Sequence, residues 1–246
     1  MSGHNKWSTI KRKKGAADAK RSKIFGRIIK EIQVAVREGG SSDPASNPRL
    51  RMAIANAKGV NMPKDNIERA VNSANKSATK LEEVTFEGYL PNGVAVIIEC
   101  LTDNNNRSVS NVRALMTKRG GKLETNGALS FLFERKGVFS IARKDLDPDN
   151  FQLEVIDAGA QDVEIDDEFF TVYTSLEDFG NMQKKLEAMN IEVENAELKR
   201  IPKDTVKLPK ENIVKLLKII EEFEDLDDVQ SVYHNMEITD EAMAEI

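Results

Sequence analysis

The sequence predicts an α+β protein: an N-terminal three-helix bundle followed by two α+β domains, the last a ferredoxin-like unit inserted in the middle domain. Three observations carry this prediction. Apolar residues recur at helical spacing in the first third of the chain and alternate at strand spacing after Lys80. Beyond residue 134 the elements follow the order strand, helix, strand, strand, helix, strand. The 246 residues also allow more than one hydrophobic core.

The first predicted helix, from about Ala16 to Arg37, separates apolar from basic side chains. At about 100° per residue its apolar side chains share one arc of the helical wheel: Ile24, Phe25, Ile28, Ile29, Ile32 and Val36. The opposite arc holds Lys20, Lys23, Arg27, Lys30 and Arg37. We therefore expect one buried face and one continuous cationic face, about three to four turns long, with the helix ending at Gly39 and Gly40.

Two shorter helices complete the predicted bundle. Asn47 and Pro48 suit an N-cap and a first helical position, so a second helix is predicted from Arg49 to Lys58, ending at Gly59. Pro63 begins a third helix that runs to about Val71. Residues 73–80 are polar and predict a linker.

The remainder of the chain predicts two sheets. Strands 84–89 and 94–101 are joined by Pro91-Asn92-Gly93, a hairpin signal, and a helix follows at 108–119. The ferredoxin-like order comes next, at 137–142, 149–158, 163–165, 169–174, 176–189 and 191–201. After a helix at 211–223, a lone strand at 229–236 is expected to rejoin the first sheet. The predicted domains are residues 1–80, residues 81–133 with 205–246, and the inserted residues 134–204.

Charge is divided between the two parts of the chain. The whole chain has a net charge of −5. Residues 1–80 contain 18 basic and 6 acidic residues, a net charge of +12, whereas residues 81–246 contain 18 basic and 35 acidic residues, a net charge of −17. Such a cationic domain attracts polyanions because each phosphate that it neutralises releases condensed counterions. The alternative is an ordinary solvated helix face. The density of eleven basic and two acidic residues between Lys6 and Arg37 favours nucleic acid.

Residues 2–14 predict an extended arm, because helical periodicity is absent there until its end. The arm could follow a phosphate backbone, with Trp7 stacked on a base, or Trp7 and Ile10 could anchor it in a hydrophobic slot. The residues predicted to bind nucleic acid are Lys6, Trp7, Lys11, Arg12, Lys13, Lys14, Lys20, Lys23, Arg27, Lys30, Arg49 and Arg51.

Catalytic and metal-binding patterns are missing from the sequence. It contains no phosphate-binding glycine loop, nucleophile elbow, zinc-protease motif or C-x-x-C pair, and its two histidines, His4 and His234, stand at opposite ends. Cys100, the single cysteine, lies in an apolar run and predicts a buried thiol. With neither a signal peptide nor a membrane span indicated, we expect a cytoplasmic protein that is not an enzyme and has no cofactor, metal or small-molecule substrate.

Several segments resemble one known family. They are Met1-Ser-Gly-His-Asn-Lys-Trp-Ser-Thr-Ile-Lys-Arg-Lys-Lys14, Met62-Pro-Lys-Asp-Asn-Ile-Glu-Arg-Ala70, Leu101-Thr-Asp-Asn104, Phe133-Glu-Arg-Lys-Gly137 and Glu224-Asp-Leu-Asp-Asp-Val-Gln230. Over essentially its whole length the chain resembles the YebC/PmpR family of probable transcriptional regulators, which is similar to a mitochondrial translational activator of cytochrome oxidase synthesis. The chain departs from the family at Leu90-Pro-Asn-Gly93 and Phe131-Leu-Phe133, where a turn or packing change is expected.

The resemblance implies three domains and two competing activities. It implies DNA binding in some members, as transcriptional regulators, and in others association with the ribosome to relieve stalling, for example at proline runs. The sequence shows neither a helix-turn-helix nor a dimerisation heptad, and this weakens the case for sequence-specific operator binding. The two hypotheses for this chain are therefore a DNA-binding transcriptional regulator and a ribosome-associated translation factor, with a protein-interaction scaffold as the third.

Overall fold

A computed structural model of the protein describes residues 18–74, 80–144 and 146–245. These residues form two compact units. Unit 1 contains the described residues of Met1–Ile24, Thr79–Glu134 and Ile201–Ile246, and unit 2 contains those of Phe25–Ala78 and Arg135–Arg200. The predicted arm, residues 2–14, lies outside the described residues.

Helices open the described chain, and two sheets follow. The helices before the first sheet are α1 (Asp18–Gly39), α2 (Pro48–Gly59) and α3 (Lys64–Ala74). The later elements, in chain order, are β1 (Glu82–Leu90), β2 (Val94–Thr102), α4 (Asn105–Lys118), β3 (Lys122–Leu123), β4 (Phe133–Ala142), α5 (Pro148–Asp157), β5 (Ala160–Ile165), β6 (Phe169–Thr174), α6 (Phe179–Ala188), β7 (Val193–Pro202), α7 (Lys210–Glu224), β8 (Val229–His234) and α8 (Asp240–Met243). The two-residue β3 and the short α8 were not predicted.

Asn47 begins α2, as its sequence position predicts. Its Oδ1 accepts a hydrogen bond from the Leu50 amide at 3.0 Å, which satisfies a free donor of the first turn. Its Nδ2 donates to the carbonyls of Ala35, at 2.7 Å, and Ser41, at 2.9 Å. One buried side chain therefore starts α2 and also holds the end of α1.

The sheet of unit 1 has the order β3-β1-β2-β8 and is antiparallel throughout. The predicted hairpin joins β1 to β2, and both Asn92 and Gly93 have positive φ, 64° and 73°, a conformation that Asn and Gly adopt more readily than other residues. The strand β8 pairs with β2, so the late strand rejoins the first sheet as predicted. Helices α4 and α7 cover one face through side chains such as Met116 and Phe223, in a core that also buries the thiol of Cys100.

The other face of this sheet is covered by the loop between β3 and β4. Leu129 and Phe133 pack there against Ile97 and Tyr233. Glu87 of β1, only 4% exposed, accepts hydrogen bonds from the amides of Gly127, at 2.9 Å, and Leu129, at 2.6 Å. A buried carboxylate thus fixes the loop, because its desolvation is compensated by backbone donors.

Unit 2 contains the predicted ferredoxin-like unit. Its sheet has the order β5-β6-β4-β7, which is the order of that fold, and α5 and α6 supply Phe151 and Met182 to its core. The predicted α+β fold class is therefore confirmed, with N-terminal helices followed by two antiparallel sheets. The domain boundaries at 80/81, 133/134 and 204/205 stay a prediction.

Within unit 2, α2 packs against the edge strand β7. Asn56 of α2 donates from Nδ2 to the Ala196 carbonyl at 2.8 Å, and its Oδ1 accepts from the Ala196 amide at 2.9 Å. The next turn of α2 comes so close that a Cβ added to Gly59 would lie 1.8 Å from the Glu194 carbonyl oxygen. The helix therefore covers a sheet edge whose backbone groups would otherwise lack partners.

Candidate nucleic-acid interface

The cationic face of α1 is shorter than its sequence predicts. Ile28, Ile32 and Val36 are buried, as expected for the apolar arc. Val34, however, is also buried at 3% exposure, although it lies on the basic arc four residues after Lys30. The turn of α1 around Val34 is therefore buried on this side as well, and the cationic face ends at Lys30.

Four predicted contact residues lie along that shorter face. Lys20 is on α1 by its backbone position, Lys23 is exposed, and Arg27 and Lys30 are half-buried. Arg37, the last member of the predicted arc, instead donates from Nε to the Ala74 carbonyl at 3.1 Å. Its guanidinium connects α1 to the end of α3.

Lys23 forms an ion pair within unit 1. Its Nζ lies 2.6 Å from Oδ1 of Asp225 and donates to the Asp225 carbonyl at 3.2 Å. Asp225 is the C-cap of α7, directly after Glu224, where the helix dipole is negative and favours a cation. Both side chains stay accessible, at 44% and 67% exposure, so the pair is weak, of order 0–1 kcal/mol.

The two arginines of α2 differ in how firmly they are held. Arg49 pairs with Glu38, and both side chains remain partly exposed. Arg51 donates from Nε to the Pro44 carbonyl at 3.1 Å and from Nη2 to the Ala45 carbonyl at 3.4 Å, and its Nη1 lies 3.7 Å from Glu187. Arg51 therefore also holds together the turn that precedes α2.

The arm residues of the predicted interface, Lys6, Trp7, Lys11, Arg12, Lys13 and Lys14, fall outside the described residues, so both alternatives for Trp7 stay open. Arg21 and Lys58 are exposed basic residues of α1 and α2 that the predicted set omits. A helical-wheel criterion misses Arg21 because it lies off the basic arc. Helix α3 is unlike α1, because Lys64 pairs with Glu68 on a surface of mixed charge.

A separate charged network in unit 1 is centred on the buried carboxylate of Asp228. Asp228, with its side chain 6% exposed, accepts from Arg107 Nε at 3.0 Å, Arg107 Nη2 at 2.7 Å and Ser108 Oγ at 2.8 Å. Arg107 also reaches Asp103 at 2.7 Å, and hydrogen bonds to Asp228 and then Asp103 raise the pKa of its guanidinium. Sequence alone does not reveal this network, because Asp228 follows Arg107 by more than a hundred residues. The network connects the start of α4 to the residue that directly precedes β8.

His234 is buried in β8 rather than placed at a reactive site. Its ring is fully enclosed, and Nδ1 accepts from the Met236 amide at 3.2 Å. Burial lowers the pKa of its imidazole to about 4, so the ring is neutral at pH 7. Among the residues that the structure describes, no cluster of three or more His, Cys, Asp or Glu side chains is arranged to hold a metal ion. In the same part of the chain, every helix is too short or too polar to cross a membrane.

Two family models together cover most of the chain. The model described as the TACO1/YebC protein N-terminal domain matches residues 5–77, and the model of the TACO1/YebC second and third domain matches residues 81–236. The first match contains the cationic helix, and the second contains both sheets.

Curated relatives match along nearly their whole length. A probable transcriptional regulatory protein of Amoebophilus asiaticus is 50% identical over 240 residues, which cover 96% of this chain and 98% of the relative. One of Geobacter sp. (strain M21) is 50% identical over 245 residues, covering 99% and 98%. A crystal structure of a conserved hypothetical protein from Aquifex aeolicus superposes with a TM-score of 0.81 at 41% identity, covering 91% of this chain and 93% of that one.

Proposed function

The chain belongs to the TACO1/YebC family, and from this premise we propose that it is a non-enzymatic, nucleic-acid-binding regulator of gene expression. Relatives at about half identity carry the name probable transcriptional regulatory protein. The observation that supports nucleic-acid binding is the face of α1 from Lys20 to Lys30, in a segment where residues 1–80 have a net charge of +12. The partner is a phosphate backbone.

The proposed contact residues that the structure describes lie on α1 and α2. Lys20, Lys23, Arg27 and Lys30 share one helix face, and a helix of this length carries successive cations at the spacing of its turns, about 5.4 Å. Arg49 and Arg51 of α2, with the arm residues, extend the proposed set. The pair of Arg49 with Glu38 is exposed and can exchange for a phosphate at little cost.

Recognition of this kind is independent of base sequence. Phosphate contacts set the position of a protein on a nucleic acid, whereas base-edge contacts carry sequence information. The α1 face supplies Lys and Arg, which contact phosphates and can also pair with guanine, and it lacks the Asn or Gln side chains that pair with adenine. We therefore propose DNA binding of low sequence specificity in transcriptional regulation as the first candidate.

The second candidate is a ribosome-associated translation factor that relieves stalling. The α1 face supports this candidate equally, since lysine and arginine side chains contact the phosphates of ribosomal RNA as well as those of DNA. Acidic residues, 35 of them in residues 81–246, would keep the remaining surface away from either polyanion. Sedimentation of the protein with ribosomes from cell extract supports this candidate, and recovery of the protein with DNA rather than with ribosomes supports the first.

Salt dependence tests the proposed surface directly. Affinity for duplex DNA should fall with rising salt, and Arg27→Ala and Lys23→Ala should each flatten the slope of log affinity against log salt by about one unit. The matched control is Arg69→Ala, which removes an exposed arginine from the mixed-charge helix α3 and should leave the slope unchanged. Equal slopes for Arg27→Ala, Lys23→Ala and Arg69→Ala would show that α1 is not part of the interface.

A further inference from the structure

The contact between Lys23 and Asp225 places a member of the proposed interface against an acidic part of the same unit. Asp225 lies in an acidic segment, residues 221–228, in which six of eight residues are Asp or Glu. Two of these acids are engaged by arginines of unit 1, Glu222 by Arg119 and Asp228 by Arg107. Asp225 meets the α1 lysine instead, at 2.6 Å.

We propose that the acidic segment acts as an internal substitute for phosphate, so that a nucleic acid must displace Asp225 from Lys23 before it can bind there. The proposal rests on the proposed function and adds regulation to the same surface. Lys23 Nζ is held by a carboxylate oxygen and by the Asp225 carbonyl at the negative end of α7. These oxygens offer what a phosphate would offer to an ammonium group, two acceptors and a negative charge.

The ion pair between Lys23 and Asp225 is weak enough for a nucleic acid to displace it. Lys23 and Asp225 are 44% and 67% exposed, and exposed pairs contribute little to stability because water and salt screen them. A polyanion with many phosphates can therefore displace a single carboxylate. The internal contact lowers affinity only modestly, and mainly for weak or short nucleic-acid ligands.

Salt gives this competition a distinctive signature. Raising the ionic strength weakens the internal pair as well as binding to nucleic acid. The reduction in nucleic-acid affinity that Asp225 causes should therefore be largest at low salt and should disappear as the salt concentration rises. A purely structural surface pair would not alter affinity at any salt concentration.

The test uses the full-length protein and a labelled oligouridine of about 20 nucleotides, longer than the site sizes of typical single-strand binders. Asp225→Asn should bind about two- to fivefold more tightly than the unaltered protein at about 50 mM salt, with the ratio approaching one at about 200 mM. The matched control Asp204→Asn removes one exposed carboxylate from the same unit, after β7, and should leave affinity nearly unchanged. In a Lys23→Gln background the gain from Asp225→Asn should disappear.

The outcomes separate this inference from the proposed function. If the unaltered protein binds oligouridine but Asp225→Asn and Asp204→Asn behave alike, the internal competition is refuted and nucleic-acid binding stands. An undiminished gain from Asp225→Asn in the Lys23→Gln background also refutes it, because general charge would then explain the effect. If neither the unaltered protein nor Asp225→Asn binds oligouridine or duplex DNA at low salt, the proposed function fails, and this inference fails with it.

Discussion

The side-chain amide of Asn56 forms two hydrogen bonds with the backbone of Ala196, in the manner of a neighbouring strand. The Nδ2 to carbonyl distance is 2.8 Å and the amide to Oδ1 distance is 2.9 Å. Asn56 is 6% exposed and Ala196 is 3% exposed. The helical part of unit 2 is therefore attached to its ferredoxin-like part by a specific buried contact, which fixes α2 on the edge of β7.

Replacing Asn56 by Ala should destabilise unit 2. The change leaves a buried amide and a buried carbonyl of Ala196 without this partner, and each such group costs about 1–3 kcal/mol. We expect a loss of about 2–4 kcal/mol in urea unfolding, together with faster hydrogen exchange at the Ala196 amide. Asn72→Ala, at an exposed position of α3, is the control and should change stability by less than about 0.5 kcal/mol. Unaltered exchange at Ala196 would show that the contact is dispensable.

Two glycines of the helical part should respond to alanine with opposite signs. A Cβ at Gly59 would lie 1.8 Å from the Glu194 carbonyl oxygen, so Gly59→Ala must displace α2 from β7 and should cost about 1–3 kcal/mol. A Cβ at Gly26 in α1 would meet no atom within 4 Å, so Gly26→Ala should gain about 0.5–1 kcal/mol through helix propensity. Thermal unfolding of the two variants measures both effects. Equal melting temperatures would contradict the close packing of α2 on β7.

Sequence patterns predicted those features whose signals are local. Asn47 before Pro48 marks the start of α2, and Asn92-Gly93 marks the hairpin, because each depends on backbone conformations within a few residues. The order of six elements was enough to predict the ferredoxin-like unit. The short strand β3 carries too few residues to show an alternating pattern.

The remaining features depend on partners that are distant in sequence. Glu87 was not predicted to be buried, since an isolated glutamate in a strand is ordinarily exposed, and its loop partners lie some forty residues later. The pairing of Lys23 with Asp225 joins positions 202 residues apart. Burial of Val34 likewise follows from tertiary packing, which shortened the cationic face relative to its helical-wheel prediction.

The stability of unit 1 should depend on pH through His234. Burial lowers its pKa from 6.5 to about 4 in the folded protein, so between these values the unfolded chain binds a proton that the folded chain excludes. Stability is therefore complete above about pH 6.5 and falls as pH decreases towards 4, by about 3 kcal/mol in all. Urea unfolding at a series of pH values measures this, and His234→Gln should flatten the dependence in that window.

An NMR titration provides an independent check on His234. The sequence has two histidines, His4 and His234, so two imidazole signals can be followed. The signal that is absent from the His234→Gln spectrum belongs to His234 and should not titrate above about pH 5, in keeping with a ring that excludes protons. A midpoint near 6.5 for that signal would contradict burial of a neutral imidazole.

Two substitutions of Arg51 should distinguish the effect of its charge on binding from the effect of its hydrogen bonds on stability. Its Nε and Nη2 donate to the carbonyls of Pro44 and Ala45, contacts that a lysine ammonium cannot reproduce because it lacks the planar fork. Arg51→Lys keeps the positive charge, so it should lower stability by about 1 kcal/mol while the salt slope for duplex DNA is retained. Arg51→Ala should lower stability similarly and also flatten the slope, by up to about one unit. If both variants keep the slope of the unaltered protein, Arg51 serves the fold alone, and the nucleic-acid surface is confined to α1, Arg49 and the arm.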